Sequence, residues 1–295
     1  MQLGLLKSTE KGERRNRRSA TTPLIPAPTC SPGGAASPVG MGPAAKAGLL
    51  LLLLLAATAV FAGNETVLGF PAVGHRFRNC HEVHQASAGS ADGVYVVFPY
   101  DCCPERPVRV WCDMATDGGG WTLIQRRDDY AEQEDFFRTW TEYVLGFGNV
   151  AKDHWLGLDH IHALTSQSLS QIRFDLVDFE GESRWAKYDF FYVHDKSALY
   201  KLEVDSYSGD AGDSFSYQKG ARFTTKDRDH DWSTVNCAET YKGAWWYTGC
   251  HATNLNGPYL RGSHVSYADG INWADWHGHY YSMKTVTMKI KPTFF

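Results

Sequence analysis

The sequence predicts an α+β fold, with strands and a few short helices that do not alternate, and a long irregular segment that carries the site. Three observations predict it. Apolar residues recur with period two at Val94 to Phe98, Val108 to Cys112, Trp121 to Gln125, Gln171 to Phe179, Leu202 to Val204 and Val286 to Ile290, as half-buried strands require. Asp135 to Val144 and Asp159 to Leu164 have the acidic starts and apolar spacing of short helices. From Gly209 to about Trp276 periodicity gives way to Gly, Asp, Asn, Ser and Tyr, and an irregular stretch of that length inside a compact domain is usually functional.

Composition narrows the class. The 295 residues are 43% hydrophobic and 21% charged, enough to bury a core. A formal net charge of -4 leaves no positive field for phosphates, so nucleic acid is not an expected partner. Leu49 to Ala62 is the one strongly apolar run. It falls short of the roughly 20 residues a spanning helix needs, and with Lys46 before it and small residues after it reads as a signal peptide over 41–62, started at Met41. Residues 1–40, with a basic run at Arg14 to Arg18, read as a leader or gene-model extension, and 63–79 as a short lead-in. The chain is therefore expected to be secreted, with Asn64 of Asn64-Glu65-Thr66 as a glycan acceptor. Without Cys30, six cysteines remain, an even set for an oxidising compartment.

Within the irregular segment lies Asp227-Arg228-Asp229-His230-Asp231-Trp232-Ser233-Thr234-Val235-Asn236-Cys237. Alternating carboxylates followed by backbone free to turn its carbonyls inward suit a hard cation such as calcium. It is not an EF-hand, because Trp232 and Ala238 stand where that loop needs Gly and a bidentate Glu. A solvated acidic turn balanced by Lys226 and Arg228 is the bland alternative. Next comes Cys237 to Cys250, enclosing Tyr241, Trp245 and Trp246 and followed by His251. A disulfide across so short a loop would fix an aromatic wall beside the metal loop. The tryptophans Trp245, Trp246, Trp273 and Trp276 are assigned to the core.

From Asp92-Gly93-Val94-Tyr95 through Gly119-Gly120-Trp121-Thr122, Gln125-Arg126-Arg127, Trp155-Leu156-Gly157, Asn254-Leu255-Asn256-Gly257 and Gly270-Ile271-Asn272-Trp273 to Tyr281-Ser282-Met283-Lys284, the chain resembles the fibrinogen C-terminal domain family over about 80–292. The resemblance implies a twisted antiparallel sheet, short helices and a loop-rich subdomain binding calcium and ligand. It implies disulfides Cys80–Cys112 and Cys237–Cys250, the first in preference to a zinc set with His81 and His84. It implies calcium held by Asp229 and Asp231 with carbonyls of Ser233 and Val235, Asp227 being a nearby charge and not a ligand. Next to the ion it implies a pocket at a cis peptide between Gly249 and Cys250. There the N–H groups of Cys250 and His251 face a ligand carbonyl, Tyr241, Tyr267 and Ala268 wall a methyl group, and the Tyr267 hydroxyl holds the acetamide nitrogen. His279 departs from the larger aromatic residue that several acetyl-binding members carry. Tyr241 replaces the acidic residue with which fibrinogen receives a cationic N-terminus, so a neutral acetamide is the better fit.

Two functions follow as expectations. One is a calcium-dependent lectin or pattern-recognition protein binding acetylated groups such as N-acetylated sugars on microbial or matrix glycans. The other is a structural matrix or adhesion protein of microfibril-associated type, partnered by extracellular-matrix fibre proteins. Single pockets of this size bind weakly, so a homo-oligomer is expected, built by the domain itself or by Cys102 and Cys103, an adjacent pair that can equally bond to each other or supply one partner of another disulfide. No G-x-S-x-G, H-E-x-x-H or P-loop suggests an enzyme.

Overall fold

The computed structural model describes residues 76–293 apart from 88, 102, 104 and 105. The expected leader, the signal peptide, Asn64, most of the lead-in and Cys102 lie outside the described residues.

The strands are β1 (Gly93–Val97), β2 (Val108–Asp113), β3 (Trp121–Arg127), β4 (Phe147–Gly148), β5 (His154–Trp155), β6 (Ser170–Val177), β7 (Ser183–Val193), β8 (Leu202–Gly209), β9 (Gly262–Ser263), β10 (Tyr281–Ser282) and β11 (Thr285–Pro292). The helices are α1 (Cys80–Ala86), α2 (Trp140–Leu145), α3 (Leu158–Thr165), α4 (Cys237–Thr240) and α5 (Ala274–His277). Seven strands form one antiparallel sheet in the order β1-β2-β3-β11-β6-β7-β8, with β5 and β4 added beside β3, while β9 and β10 pair apart. The C-terminal strand thus sits in the middle: Val286 faces Arg127 on one side and Leu176 on the other. Closing the sheet requires both ends of the domain, which keeps the intervening segment folded back over it.

All six predicted strands are present. The longest strand, β7, was not foreseen, and its burial explains why. Ala186 and Tyr188 face inward, and so do Phe191 and Val193, a jump of three that breaks period two. The register shows the cause, because Ser170 pairs with Phe191 while Ile172 pairs with Tyr188, an extra residue accommodated as a bulge. The helix expected over 135–144 begins only at Trp140. Asp135 turns its carboxylate to the Phe137 N–H (2.8 Å), and a capping box of Thr139 and Glu142 starts α2. Helix α3 matches its prediction within a residue. Helix α1 was missed, although Asn79 caps it by accepting from the Glu82 N–H. Cys80 at its start is bonded to Cys112, Cα atoms 5.5 Å apart, as expected, which removes Cys80 from any zinc set. Cys103 is also disulfide-bonded, to no cysteine among the described residues.

The core is aromatic. Trp121, Trp155, Trp245, Trp246 and Trp273 are all at most 1% exposed, so three of the four tryptophans near the site are indeed core; Trp276 is only partly buried. On the central strand one cation is buried with them. Lys289, 3% exposed, reaches Asp113 and Asp175 at 2.6 Å each. Burial alone would raise the Asp113 carboxyl, but the Lys289 ammonium and the Thr116 N–H hold it down at about 2. Removing one partner from a buried ion cluster strands the others. Lys289→Ala is therefore expected to cost about 3–5 kcal/mol of unfolding free energy in urea denaturation; a loss below about 1 kcal/mol, the range of exposed pairs, would show that the cluster is solvated.

Candidate functional site

The segment between β8 and β11 is laid on the sheet by buried side chains that stand in for a backbone ladder. Gln125 and Arg127 alternate on β3, so both reach the same overlying loop. The Gln125 amide donates to Leu255 O and Asn256 Oδ1 (3.0 Å each), and Arg127 Nη1 donates to Leu255 O (3.2 Å) and Gly257 O (2.8 Å). The Asn residues of that loop pass the connection on. Asn256 donates to Ala244 O (2.9 Å), and Asn254 donates to Tyr241 O (3.2 Å) and Gly270 O (3.3 Å) while accepting from the Tyr247 hydroxyl (2.7 Å). Asn272 donates to Tyr281 O (2.7 Å). Gly257 is required for contact: a Cβ there would lie 2.4 Å from Gly270 O. The sequence motifs Gln125-Arg126-Arg127, Asn254-Leu255-Asn256-Gly257 and Asn272 are thus the braces of the site. Their role as supports behind Tyr241 and Gly270 had not been foreseen.

The loop expected to hold calcium is locally self-organised. Asp231 Oδ1 accepts from the Ser233 N–H (2.8 Å) and Oδ2 from the Cys237 N–H (2.9 Å), Asp229 Oδ1 accepts from the Asp231 N–H (3.2 Å), and Ser233 Oγ accepts from the Val235 N–H (3.4 Å). These bonds curl residues 229–237 around the two carboxylates. His230 turns away, its Nδ1 on Phe223 O (2.8 Å) and its ring against Trp140. Asp227 is spoken for as well, accepting from the Trp140 N–H at the start of α2 and from the Thr225 hydroxyl (2.8 Å each). Among the described residues no ammonium or guanidinium pairs with Asp229 or Asp231. Burial, with the Asp229 charge adding to it, raises the Asp231 carboxyl above the usual range. No three His, Cys, Asp or Glu side chains converge among the described residues. Two neighbouring carboxylates without a counter-charge fit a hard cation that completes its shell with carbonyls and water.

Helix α4 begins at Cys237, capped by Asn236, which accepts from the Ala238 and Glu239 N–H groups. The Cys237–Cys250 disulfide then ties the end of the carboxylate loop to the turn at Cys250, Cα atoms 5.4 Å apart. The structure corrects one expectation here. No cis peptide occurs among the described residues; the turn is made by Cys250 at φ 82 and closed by the Thr248 N–H on Cys250 O (2.9 Å). A left-handed conformation at a residue with a Cβ costs about 1–3 kcal/mol and persists where its surroundings impose it.

The six residues expected in the pocket do come together. The His251 ring lies edge-on to Tyr241 (centroids 4.6 Å) and 6.1 Å from His279, which lies 5.1 Å from Tyr267. Tyr267 and Tyr280 are neighbours at 5.5 Å. Ala268, at φ 62, accepts from His251 Nε2 (2.9 Å) and donates to His279 O (2.9 Å). A carbonyl partner fixes Nε2 as the protonated nitrogen of a neutral imidazole, and Nδ1 is left buried without a donor. The N–H groups of Cys250 and His251 donate to nothing among the described residues. Two adjacent N–H groups with no acceptor among the described residues therefore belong to the same turn as the His251 ring, which packs against Tyr241.

With this geometry in hand, comparison with known proteins is decisive. Residues 76–293 match the family described as fibrinogen beta and gamma chains, C-terminal globular domain. The chain belongs to that family. The fibrinogen-type domain is 50% identical over 206 residues to techylectin-5A of Tachypleus tridentatus, covering 70% of each protein. It is 52% identical to Fibrinogen C domain-containing protein 1 of Homo sapiens, over 68% of this chain and 44% of that one. Among solved structures it resembles the fibrinogen-like globe domain of human ANGPTL2 (42% identity, TM-score 0.70, covering 73% of this chain and 99% of that one). It also resembles a lamprey fibrin D-dimer complexed with the peptide Gly-His-Arg-Pro-amide (34% identity, TM-score 0.67, 74% of each). The fold expected for the fibrinogen-type domain is therefore the fold it has.

Burial, reinforced by the nearby His279, pushes His251 down to about 3, although its bond to Ala268 O works the other way. A folded value below the 6.5 of an unfolded histidine gives a stabilisation that is complete above about pH 6.5 and lost as pH falls toward 3. Buried His154 and His160, each at about 4, act with the same sign. Unfolding free energy should fall between pH 6.5 and 4, with His251 contributing up to about 1.4 kcal/mol per pH unit. Urea denaturation across that range tests this, and His251→Gln should flatten the profile; equal slopes for both proteins would contradict the assignment.

Proposed function

We propose that this fibrinogen-type domain is a secreted, calcium-dependent lectin that recognises acetylated groups, such as N-acetylated sugars on microbial or matrix glycans. The observation that carries the reading is the pair of unused N–H donors at Cys250 and His251, set against Tyr241, Tyr267 and Ala268. An acetamide offers a carbonyl to those donors, a methyl group to the alanine and aromatic wall, and a nitrogen to the Tyr267 hydroxyl. Calcium, held by Asp229 and Asp231 with the Ser233 and Val235 carbonyls, would neutralise the paired carboxylates and fix the loop that the disulfide joins to the pocket. His279 narrows the pocket less than a larger ring would, so affinity for a single group is modest and oligomers supply avidity. The relationship to techylectin-5A supports a lectin role. A matrix or adhesion role has its own support, since Tenascin-R of Homo sapiens is 48% identical over 209 residues, although they make up 15% of that protein.

Binding to an acetylated resin discriminates the two. A lectin is retained in calcium and released by chelator or N-acetylglucosamine, whereas an incidental pocket gives no sugar-specific release. Asp229→Ala should abolish retention and remove the calcium-dependent rise in melting temperature. For the parent domain that rise corresponds to about 2.7 kcal/mol at a calcium concentration one hundred times Kd; identical melting with and without chelator would refute the ion site. Tyr241→Asp should weaken N-acetylglucosamine binding more than about ten-fold, the effect of 1.4 kcal/mol, with calcium affinity unchanged. Elution that survives this substitution would put the pocket elsewhere.

A further inference from the structure

We propose that a separate cavity, with Arg127 as its buried floor, receives the free C-terminus of a peptide. This site does not depend on the calcium and acetyl reading, and it uses none of the residues assigned to it.

The cavity has a volume of about 250 Å3, and Arg127, Gln133, Phe136, Phe137, Lys242 and Tyr259 are among the residues that line it. Arg127 is 1% exposed and forms no ion pair among the described residues. A guanidinium buried without a carboxylate is costly, so the use made of each of its nitrogens matters. One face lies on the Phe136 ring, Cζ 3.9 Å from the centroid. Nη1 makes both bonds to the overlying loop, at Leu255 O and Gly257 O. Nε and Nη2 donate to nothing among the described residues. Those two N–H groups lie on one edge of the fork and point the same way, and this is an edge that can take both oxygens of a carboxylate. Asp153, the nearest source of opposing charge, is already committed. Its carboxylate accepts from the Asp128 N–H (2.8 Å) and the Glu134 N–H (3.5 Å). Burial lowers Arg127 to about 10, with Asp153 acting against that fall, so the group remains a cation at neutral pH.

Gln133 adds a second requirement. Its Nε2 donates to Asp128 O and Tyr130 O (2.9 Å each), which fixes the orientation of the amide and leaves buried Oε1 an acceptor without a donor. A ligand that matches the cavity therefore brings a carboxylate for Arg127, an N–H for Gln133 and apolar bulk for Phe136, Phe137 and Tyr259. The last residue of a peptide has all three. The volume is below the roughly 300–1,000 Å3 of sites that enclose a drug-sized molecule, so it suits one terminal residue. Asp135 and the Lys242 side chain, the latter 60% exposed, stand at the open side, where the rest of a peptide can leave. Charge agrees with an anionic occupant. Of the two lining carboxylates, Glu134 is paired with Arg138 (2.6 Å) and Asp135 turns Oδ1 to the Phe137 N–H (2.8 Å). The cations are Arg127, unpaired, and Lys242, whose nearest carboxylate is Asp269 at 4.0 Å.

The test is calorimetric titration with the tripeptide Gly-Gly-Leu and with its C-terminal amide, which share an N-terminus and differ only in the carboxylate, each with calcium and with chelator. The acid should bind at least about ten-fold more tightly than the amide, the effect of charge-assisted bonds to one carboxylate, and equally in both buffers. In protein labelled with 15N-arginine, the Arg127 Nε–H signal should move downfield and saturate with the acid alone. Lys242→Glu, a change at the exposed side of the cavity, should weaken the acid and leave the amide as it was. Arg127→Lys, which keeps the charge and loses the forked edge, should bring acid and amide to the same affinity; should that variant fail to fold, the Nε–H signal of the parent protein decides. Acid and amide binding alike, or neither binding, would overturn the proposal. So would preference for the acid with an unmoved Arg127 signal, which would put the carboxylate elsewhere. Glucuronate, a carboxylate on a sugar ring with no adjoining N–H, should bind more weakly than the tripeptide; equal affinity would assign a sugar acid and overturn the peptide.

Discussion

Between β8 and β11 the chain crosses the sheet with scarcely any ladder of its own, and every buried N–H and C=O in that crossing must find a partner elsewhere. The solution is a set of buried amides and one guanidinium. Gln125 and Arg127 rise from β3, Asn254 and Asn256 take the connection from the loop above, and Asn272 carries it to the strand that closes the domain. Each bond contributes about 1 kcal/mol net, but an unmade one in the interior costs about 1–3 kcal/mol. The network therefore specifies one arrangement of the loops more than it adds stability.

Once the loops are fixed, the site assembles from two short pieces joined by one disulfide. The carboxylate curl of 229–237 ends at Cys237, whose N–H is held by Asp231; the pocket turn ends at Cys250, bonded to Cys237. Whatever settles the curl is transmitted to the turn through one covalent link. The left-handed φ at Cys250 and at Ala268 is the local expression of this: both residues hold conformations that unconstrained chain would abandon, Ala268 with its backbone bonded to His251 and His279. Burial keeps His251 neutral, so this ring carries no charge over the ordinary range of pH.

Much of this was legible in the sequence, for physical reasons that differ from part to part. Strands with undisturbed alternation, such as β6, announce themselves; β7 does not, because its bulge moves the buried face from Tyr188 to Phe191 out of phase. The start of α2 was misjudged because Asp135 makes a turn that resembles a helix start. The two disulfides and the convergence of Tyr241, His251, Tyr267, Ala268 and His279 followed from the ordered motifs of the family, whereas nothing in spacing alone would bring residues 241 and 279 together. The conformation of the Gly249–Cys250 peptide was expected to be cis and is trans, since the reversal is achieved by φ at Cys250. The bracing Asn and Gln residues were visible as motifs, but their partners are backbone carbonyls, which no side-chain pattern can point to.

The account stands on the idea that the Cys250 and His251 N–H groups receive the carbonyl of an acetyl group. Backbone amide chemical shifts, recorded on the calcium-loaded domain while N-acetylglucosamine is added, test it most directly. Hydrogen-bond formation predicts saturable downfield movement of the Cys250 and His251 amide protons, absent with glucose, which has no acetyl group. Saturable shifts confined to other residues, or identical responses to both sugars, would contradict it.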